Sequence, residues 1–158
     1  METRTRHLLV DGYNVIHCLP DLKRHFREGV SAGCARLVAW VGVLHDVEGI
    51  RVTVVFDGRG DDIEIERPTE DLTYSVLYSP RGMSADDLIE QLVGASEKPD
   101  DFQVVTRDNL VRETVRALGA EPLSPEELRD WVARCEKRLA GDLRSRQRAV
   151  ERDWRRGK

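Results

Sequence analysis

Cysteines, aromatic residues and long hydrophobic runs are all scarce in this chain. The cysteines, Cys18, Cys34 and Cys135, are odd in number and lack a metal-type spacing, so neither a disulfide framework nor a zinc site is expected. Charged residues make up 34% of the sequence, and no apolar run approaches the roughly 18 residues of a membrane span. No signal-peptide pattern opens the chain. These absences predict a cytoplasmic protein without a membrane partner, whose thiols stay reduced and whose Cys34 and Cys135 lie in the core.

Two kinds of phosphate-handling site are missing as well. No glycine-rich loop follows a predicted strand, which argues against a P-loop or a dinucleotide-binding fold. A phosphoacceptor domain that used Asp57 would need a lysine after its last strand, and residues 120–127 contain none. The function must therefore be sought in other residues.

The length of the chain suits one domain with a terminal extension. A chain of 158 residues buries roughly two thirds of its unfolded surface and needs no disulfide or structural metal to fold. We predict a domain over residues 1–123 and a basic helical extension over residues 124–158 that packs on it.

Hydrophobic periodicity predicts strands that alternate with helices. The predicted strands are residues 7–10, 51–56, 72–79, 102–106 and, as a short last strand, 120–123. The predicted helices begin near Ser31, Ser84, Asn109 and Ser124, and residues 18–30 form a loop or a short helix. Residues 58–62 are predicted to be a flexible charged loop. This alternation predicts an α/β fold, a three-layer sandwich with a central, mainly parallel sheet.

Acidic residues follow three of the predicted strands. Asp11, Asp57 and Asp108 lie at or just past the carboxyl ends of these strands, and Asp86 and Asp87 lie in the first turn of a helix. Because parallel strands end at one edge, these carboxylates should gather there, where they repel one another unless a cation neutralises them. Carboxylates suit Mg²⁺ or Mn²⁺, and such ions support displacement at phosphorus. The pattern therefore predicts a metal-dependent hydrolytic site.

Each acid also has a simpler explanation when it is taken singly. Asp-Gly is a common turn dipeptide, which would account for Asp11 and Asp57. Asp86, Asp87 and Asp108 could be helix caps that face the positive end of the helix dipole. What favours the metal cluster is the coincidence of all these acids at one edge.

Three further side chains near this edge have two interpretations each. Asn14 could hold a carboxylate or a phosphate oxygen, and Thr106 ends a strand with its hydroxyl near Asp108, but either could make only a local turn hydrogen bond. Tyr13 could stack on a base or could be an ordinary half-buried tyrosine.

Four segments resemble a known family when they are taken in order. LLVDGYNVI, VVFD, SADDLIEQL and VVTRDN are similar to the YacP-like group of NYN domains, a branch of the PIN-like nucleases. The resemblance spans residues 7–119, and the long basic C-terminal helix is similar to that group too. It implies a PIN-like nuclease domain that hydrolyses RNA with Mg²⁺ or Mn²⁺.

Position by position, the resemblance also implies roles for individual residues. The catalytic residues would be Asp11, Asp86, Asp87 and Asp108, with Asp11, Asp86 and Asp108 as metal ligands and Asn14, Thr106 and Asp57 in support. Asp86 and Asp87 point about 100° apart on a helix, so only one of them is expected to reach the metal directly, and the sequence leaves open which.

The C-terminal segment has a charge opposite to that of the rest. Residues 134–158 contain ten basic and four acidic residues, a net charge of +6, whereas the remaining residues carry −10. A segment with this charge could neutralise the phosphates of an RNA strand. The alternative is an exposed helix whose charged side chains contact only water. The predicted RNA-binding residues are Arg144, Arg146, Arg148, Arg152, Arg155 and Arg156.

The sequence thus predicts a metal-dependent endoribonuclease. The alternative is a non-catalytic RNA-binding module on the same fold, which would keep the basic helix and need no metal. From the resemblance, messenger RNA presented by a ribosome is a plausible substrate. The sequence leaves the oligomeric state open.

Overall fold

A computed structural model describes residues 6–157 of the chain. The strands are β1 (His7–Asp11), β2 (Arg51–Phe56), β3 (Glu64–Glu66), β4 (Tyr74–Tyr78), β5 (Phe102–Val105) and β6 (Glu121–Leu123). The helices are α1 (Gly12–Cys18), α2 (Pro20–Glu28), α3 (Val30–Glu48), α4 (Ala85–Gly94), α5 (Asn109–Leu118) and α6 (Pro125–Arg156), and a short 3-10 turn at Pro99–Asp101 precedes β5.

The strands form a single sheet in the order β3-β4-β2-β1-β5-β6. β1 pairs in parallel with both β2 and β5, β2 pairs in parallel with β4, and β5 pairs in parallel with β6. β3 runs antiparallel to β4 at one edge. β2, β3 and β4 lie on one side of β1, and the chain then crosses to the other side of β1 to form β5 and β6. The strand order therefore reverses between β1 and β5.

Helices cover both faces of this sheet. Side chains on one face, among them Leu8 and Val10, pack with α1, α2, α3 and the first turns of α6. Side chains on the other face, among them Leu9 and Val104, pack against α4 and α5. The alternation along β1 follows from the two-residue repeat of a strand. The predicted three-layer α/β sandwich with a mainly parallel sheet is confirmed.

Several local predictions differ from the structure. Asp11 and Gly12 do not form a turn, because α1 begins directly at Gly12. Of the two alternatives for residues 18–30, the short helix is the one observed, as α2. α3 begins at Val30 rather than after Ser31. β3 had not been predicted; its three residues are all exposed, so they have no buried face that would show in the hydrophobic pattern. Cys135 is buried as expected, but Cys34 is only half-buried.

α3 also has the length and composition of a membrane span, contrary to the prediction that no such run exists. It has 19 residues, and its mean hydropathy over an 18-residue window is 1.3. Leu37, Val41 and Leu44 on its inner face are fully buried against the sheet. These residues belong to the core, although only 28% of the apolar window is buried within the protein.

α6 is anchored at its beginning and exposed along the rest of its length. Leu128, Val132 and Cys135 are buried in the core. The carboxylate of Glu48, in the last turn of α3, accepts hydrogen bonds from Trp131 Nε1 at 3.1 Å and from an Arg138 guanidinium nitrogen at 3.3 Å. The helix continues through Gly141 without interruption to Arg156. The predicted division into a domain over residues 1–123 and an extension over residues 124–158 stays a prediction.

Candidate active site at the carboxyl edge of the sheet

The predicted acids lie where the strand order reverses. Asp11 is the last residue of β1, Asp57 directly follows β2, and Asp108 lies three residues past the end of β5. In open α/β sheets this crevice is the usual position of a ligand site. Asp11 lies two residues after Leu9 on β1, so its side chain is on the same face of the sheet and points toward α4 and α5 rather than toward α3.

Asp11 is the centre of this group. Its side chain is almost fully buried, with 5% exposure, and it lies beside the carboxyl group of Asp86 in the first turn of α4, which raises the pKa of Asp11. The hydroxyl of Thr106, which is completely buried, donates to Asp11 Oδ2 at 3.2 Å. Two carboxylates and one hydroxyl therefore meet between β1, β5 and the N-terminus of α4.

Burial and the neighbouring acid make Asp11 hard to ionise. Desolvation is the largest cause, and the hydrogen bond and negative charge of Asp86 add to it, so that the pKa of Asp11 rises from 3.8 to about 8. The hydrogen bond from Thr106 acts in the opposite direction, and the charge of Asp57 raises the pKa further. Protonation of Asp11 removes its repulsion from Asp86, and a bound cation would have the same effect.

Asp86 and Asp87 have different surroundings. Asp87 completes a capping box at the start of α4: its Oδ2 accepts from the backbone N–H of Ser84 at 3.3 Å, while Ser84 Oγ accepts from the N–H of Asp87 at 3.1 Å. Asp87 is exposed, whereas Asp86 is partly buried beside Asp11. Of the two acids, Asp86 is the one that joins Asp11.

Asp108 caps α5. Its Oδ1 accepts from the backbone N–H groups of Leu110 at 2.9 Å and of Val111 at 3.3 Å. The N–H of Asp108 itself donates to Thr106 Oγ1 at 3.2 Å, so the same hydroxyl links Asp108 to Asp11. One oxygen of Asp108 is thus committed to the helix, as the simpler explanation of this acid had suggested.

Asp57 and Asn14 hold the surrounding backbone in place. Asp57 Oδ1 accepts from the N–H of Ala85 at 2.9 Å, which ties the end of β2 to the start of α4 beside Asp86. Asn14 Oδ1 accepts from the N–H of Arg107 at 2.8 Å, which ties α1 to the loop between β5 and α5. Both residues thus fix segments that flank the acid pair, and their supporting role in the site stays a prediction.

Within residues 6–157, no three or more acidic, histidine or cysteine side chains are arranged as a ready metal-binding group. Of the five acids predicted to gather at this edge, Asp11 and Asp86 form a close pair, Asp57 and Asp108 lie nearby but are each engaged through one oxygen, and Asp87 caps α4. Capping and turn hydrogen bonds compete for the same carboxylates, which the spacing of acids in a sequence does not reveal.

Gly12 has a packing role at this edge. A Cβ atom on Gly12 would lie 2.3 Å from Cε1 of Phe56, which is fully buried. The absence of a side chain lets α1 begin immediately after Asp11 and lie against β2. Gly12 therefore helps to place Asp11 at the end of its strand.

Sequence reasoning missed Arg107. Its guanidinium is paired with Glu126 in the first turn of α6, while its backbone N–H donates to Asn14. This residue connects the acid edge to the base of the basic helix. Arg107 lies within VVTRDN, one of the segments that resemble the YacP-like group, but nothing in the sequence indicated that it contacts Asn14 and Glu126.

The arginines predicted to bind RNA all lie on the exposed part of α6. Their side chains extend from the helix beyond its buried first turns, and every one is solvent-exposed; they are Arg144, Arg146, Arg148, Arg152, Arg155 and Arg156. The helix therefore presents a positive surface next to an otherwise acidic domain.

Comparison with known proteins agrees with these features. Residues 8–157 match a model of the YacP-like NYN domain. Two crystal structures of Rae1 (YacP) from Bacillus subtilis are similar at 27% identity over 89% of this chain. One is of a tryptophan-to-leucine variant, with a TM-score of 0.71 over 82% of that chain, and the other has a TM-score of 0.68 over 81%. No curated protein matches the sequence. Since the family match covers nearly the whole chain, this protein belongs to the YacP-like NYN domain family, one of the PIN-like families of ribonucleases.

Proposed function

We propose that this protein is a metal-dependent endoribonuclease that hydrolyses RNA phosphodiester bonds at the Asp11 and Asp86 pair. The observation that carries the proposal is the burial of Asp11 against a second acid at the carboxyl edge of the sheet. A buried acid with a strongly perturbed pKa weakens the fold at neutral pH, and such groups concentrate at functional sites.

The residues at this edge fit a hard divalent cation. Mg²⁺ commonly keeps several waters and is held by one or two carboxylates together with substrate phosphates, so a complete cage of protein ligands is not required. Asp11 and Asp86 would hold the ion, and Asp108 would contribute through the oxygen that does not cap α5. Mg²⁺ or Mn²⁺ bound there would lower the pKa of water and neutralise charge on the phosphate.

The other residues of the site would hold the acids, or the segments that carry them, in position. Thr106 orients Asp11 by donating to Oδ2. Asp57 holds the first turn of α4, which carries Asp86, and Asn14 holds the loop that carries Asp108. Asp87 contributes through the capping box of α4. We assign Asp86 rather than Asp87 as the direct metal ligand.

The basic part of α6 would bind the phosphates of the same RNA. Each contact with a single strand adds about 0.7 to the slope of log affinity against log salt. Replacing the six exposed arginines by glutamine should therefore weaken RNA binding and flatten its salt dependence by up to about four. Glutamine at Arg24 and Arg27, which are exposed on α2, is the matched control and should leave the slope unchanged.

The decisive experiment is cleavage of structured and unstructured RNA with Mg²⁺, with Mn²⁺ and with a chelator. Cleavage should require the metal, and mapping of the products should find 5′-phosphate ends. Asp11→Asn should abolish cleavage while RNA binding persists. Undiminished cleavage by this variant would overturn the mechanism.

A non-catalytic RNA-binding module is the second candidate, and it is favoured by the lack of a three-residue metal group among the described residues. The two functions differ in their response to metal. A ligand that binds only the folded protein raises its stability, by about 2.7 kcal/mol at 100 times its Kd. Mn²⁺ should raise the Tm of the parent but not that of Asp11→Asn with Asp86→Asn, and an unresponsive parent would favour the binding module.

We further propose that the RNA is messenger RNA presented by a ribosome, and that the protein acts in the cytoplasm. Support for this substrate comes from the family resemblance alone. Cleavage of one messenger RNA, free and in a translating extract, compares the two forms directly. Equal cleavage of both would remove the ribosome from the proposal.

A further inference from the structure

A groove with a volume of about 720 Å³ lies over β2 and β4, between α3 and the segment that connects β3 to β4. All three tyrosines of the chain, Tyr13, Tyr74 and Tyr78, line it, together with Phe56. In a protein with only 6% aromatic residues, this concentration indicates a surface suited to a flat, stacking ligand.

The rings are arranged in a row at one end of the groove. The ring of Phe56 lies between those of Tyr13 and Tyr78, with centroid distances of 5.0 Å and 5.8 Å. Phe56 is fully buried and forms the floor, while Tyr13 and Tyr78 are only half-buried. Tyr74 has a structural role, because its hydroxyl donates to the carbonyl of Val38. The two half-buried rings are the ones that a ligand can reach.

This end of the groove adjoins the acid pair. Tyr13 follows Asp11 by two residues, and Phe56 directly precedes Asp57. The groove lies on the α3 face of the sheet and the acid pair faces α4 and α5. Phe56 and Tyr78 of the groove nevertheless end β2 and β4, just as Asp11 ends β1, so both sites include residues at the carboxyl ends of strands. The charge of Asp57 acts on both Asp11 and Tyr13. A strand whose phosphate lies at the acids can therefore reach the groove with a neighbouring base.

The charges in the groove favour a base over a phosphate. Tyr78 donates its hydroxyl to Glu66 Oε2 at 3.2 Å, and Asp46 also lines the groove. Arg67 lines it as well, with its guanidinium donating to the carbonyl oxygen of Leu72, so the lining contains two acidic residues and one basic residue. Carboxylates repel phosphate and accept hydrogen bonds from the amino groups of bases. The volume is within the range of small-molecule pockets and exceeds that of one base.

We propose that this groove binds a nucleobase of the RNA, next to the phosphate at the acid pair, by stacking on Tyr13 and Tyr78. The proposal rests on the proposed ribonuclease function, which it extends to recognition of the substrate. Base stacking on aromatic residues tolerates every base, and Glu66 adds a preference for bases that carry an amino group over uracil.

Crosslinking tests the location without cleavage. RNA containing one 6-thioguanosine is irradiated with Asp11→Asn protein in chelator, and the crosslinked peptides are identified by mass spectrometry. We expect crosslinks at Tyr13 or Tyr78. Crosslinks confined to α6 would overturn the proposal.

A blocked groove tests the contribution to activity. Ala35 and Ala32 are both exposed on α3, but of the two only Ala35 lines the groove. Ala35→Trp should lower kcat/KM for RNA about 10-fold, while Ala32→Trp stays within twofold. Both variants should hydrolyse bis(p-nitrophenyl) phosphate, which has no base, at the parental rate. If Ala35→Trp keeps the parental kcat/KM for RNA, the proposal is refuted. If the substitution changes only the oligomeric state of the protein, the proposal is refuted as well, and the groove is assigned to a protein partner.

Substitution of one ring separates stacking from the hydroxyl. Tyr78→Phe should keep the parental kcat/KM for RNA within about threefold, whereas Tyr78→Leu should lose about 10-fold, and an equal loss in both variants would contradict stacking. If the parent cleaves neither RNA nor the ester but still crosslinks at Tyr13 or Tyr78, the proposed function fails while base binding in the groove stands.

Discussion

Asp11→Asn should stabilise the metal-free protein while it removes activity. In the folded protein the carboxyl of Asp11 is buried beside Asp86, and its pKa is raised to about 8. Ionisation at pH 8 therefore costs free energy in the folded state that the unfolded chain does not pay. Asparagine is uncharged at every pH and can still accept the hydrogen bond from Thr106.

The sign and size of this effect follow from the pKa. Because the folded value lies above the unfolded one, the folded protein holds the extra proton between pH 4 and pH 8, and its stability falls as the pH rises through this window. A shift of about four units corresponds to at most about 6 kcal/mol. Water entry and side-chain movement reduce this cost, so we expect Asp11→Asn to gain about 2 to 4 kcal/mol at pH 8 and almost nothing at pH 4.

Urea denaturation in chelator between pH 4 and pH 9 measures this gain, provided that the two proteins have equal m-values. Asp61→Asn, at an exposed position in the loop after β2, is the control and should change stability by less than about 0.5 kcal/mol. A gain that does not vary with pH, or a variant less stable than the parent at pH 8, would refute the electrostatic explanation of the site.

Three further predictions concern single positions. Asp86→Asn should abolish RNA cleavage, whereas Asp87→Asn, which changes only a helix cap, should keep the rate within about threefold; equal losses would reverse the assignment. Gly12→Ala should lower the free energy of unfolding by about 1 to 3 kcal/mol, because its Cβ would clash with Phe56; unchanged stability in a denaturation experiment would contradict this packing. The pKa of His7 is lowered to about 4, mainly by burial and to a lesser extent by the charge of Arg51. Below pH 6.5 the folded protein therefore binds fewer protons than the unfolded chain, and its stability falls as the pH falls toward 4. His7→Gln should remove about 1 to 3 kcal/mol of this loss, and parallel pH profiles of the two proteins would show that His7 is not responsible.

The parallel strands, the helices that begin near Ser84, Asn109 and Ser124, and the edge at which the acids lie could be predicted from the hydrophobic pattern. Hydrophobic runs of four to six residues that end in Asp11, Asp57 and, nearby, Asp108 indicate buried parallel strands. Capping boxes at Ser84 and Ser124 are local hydrogen-bonding patterns, so the neighbouring residues suffice to predict them. The antiparallel β3 escaped prediction because an exposed strand has no hydrophobic signature.

Which acids meet depends on contacts between elements that are distant in the sequence. Asp86 and Asp87 are adjacent and chemically identical, and the angle of α4 against β1 turns one toward Asp11 while the other caps its own helix. Tyr13 and Tyr78 are 65 positions apart in the sequence, and they line the same groove because strands β2 and β4 lie side by side. Local hydrogen bonds and periodic burial can be predicted from neighbouring residues, but distances across the sheet depend on how the helices pack on it.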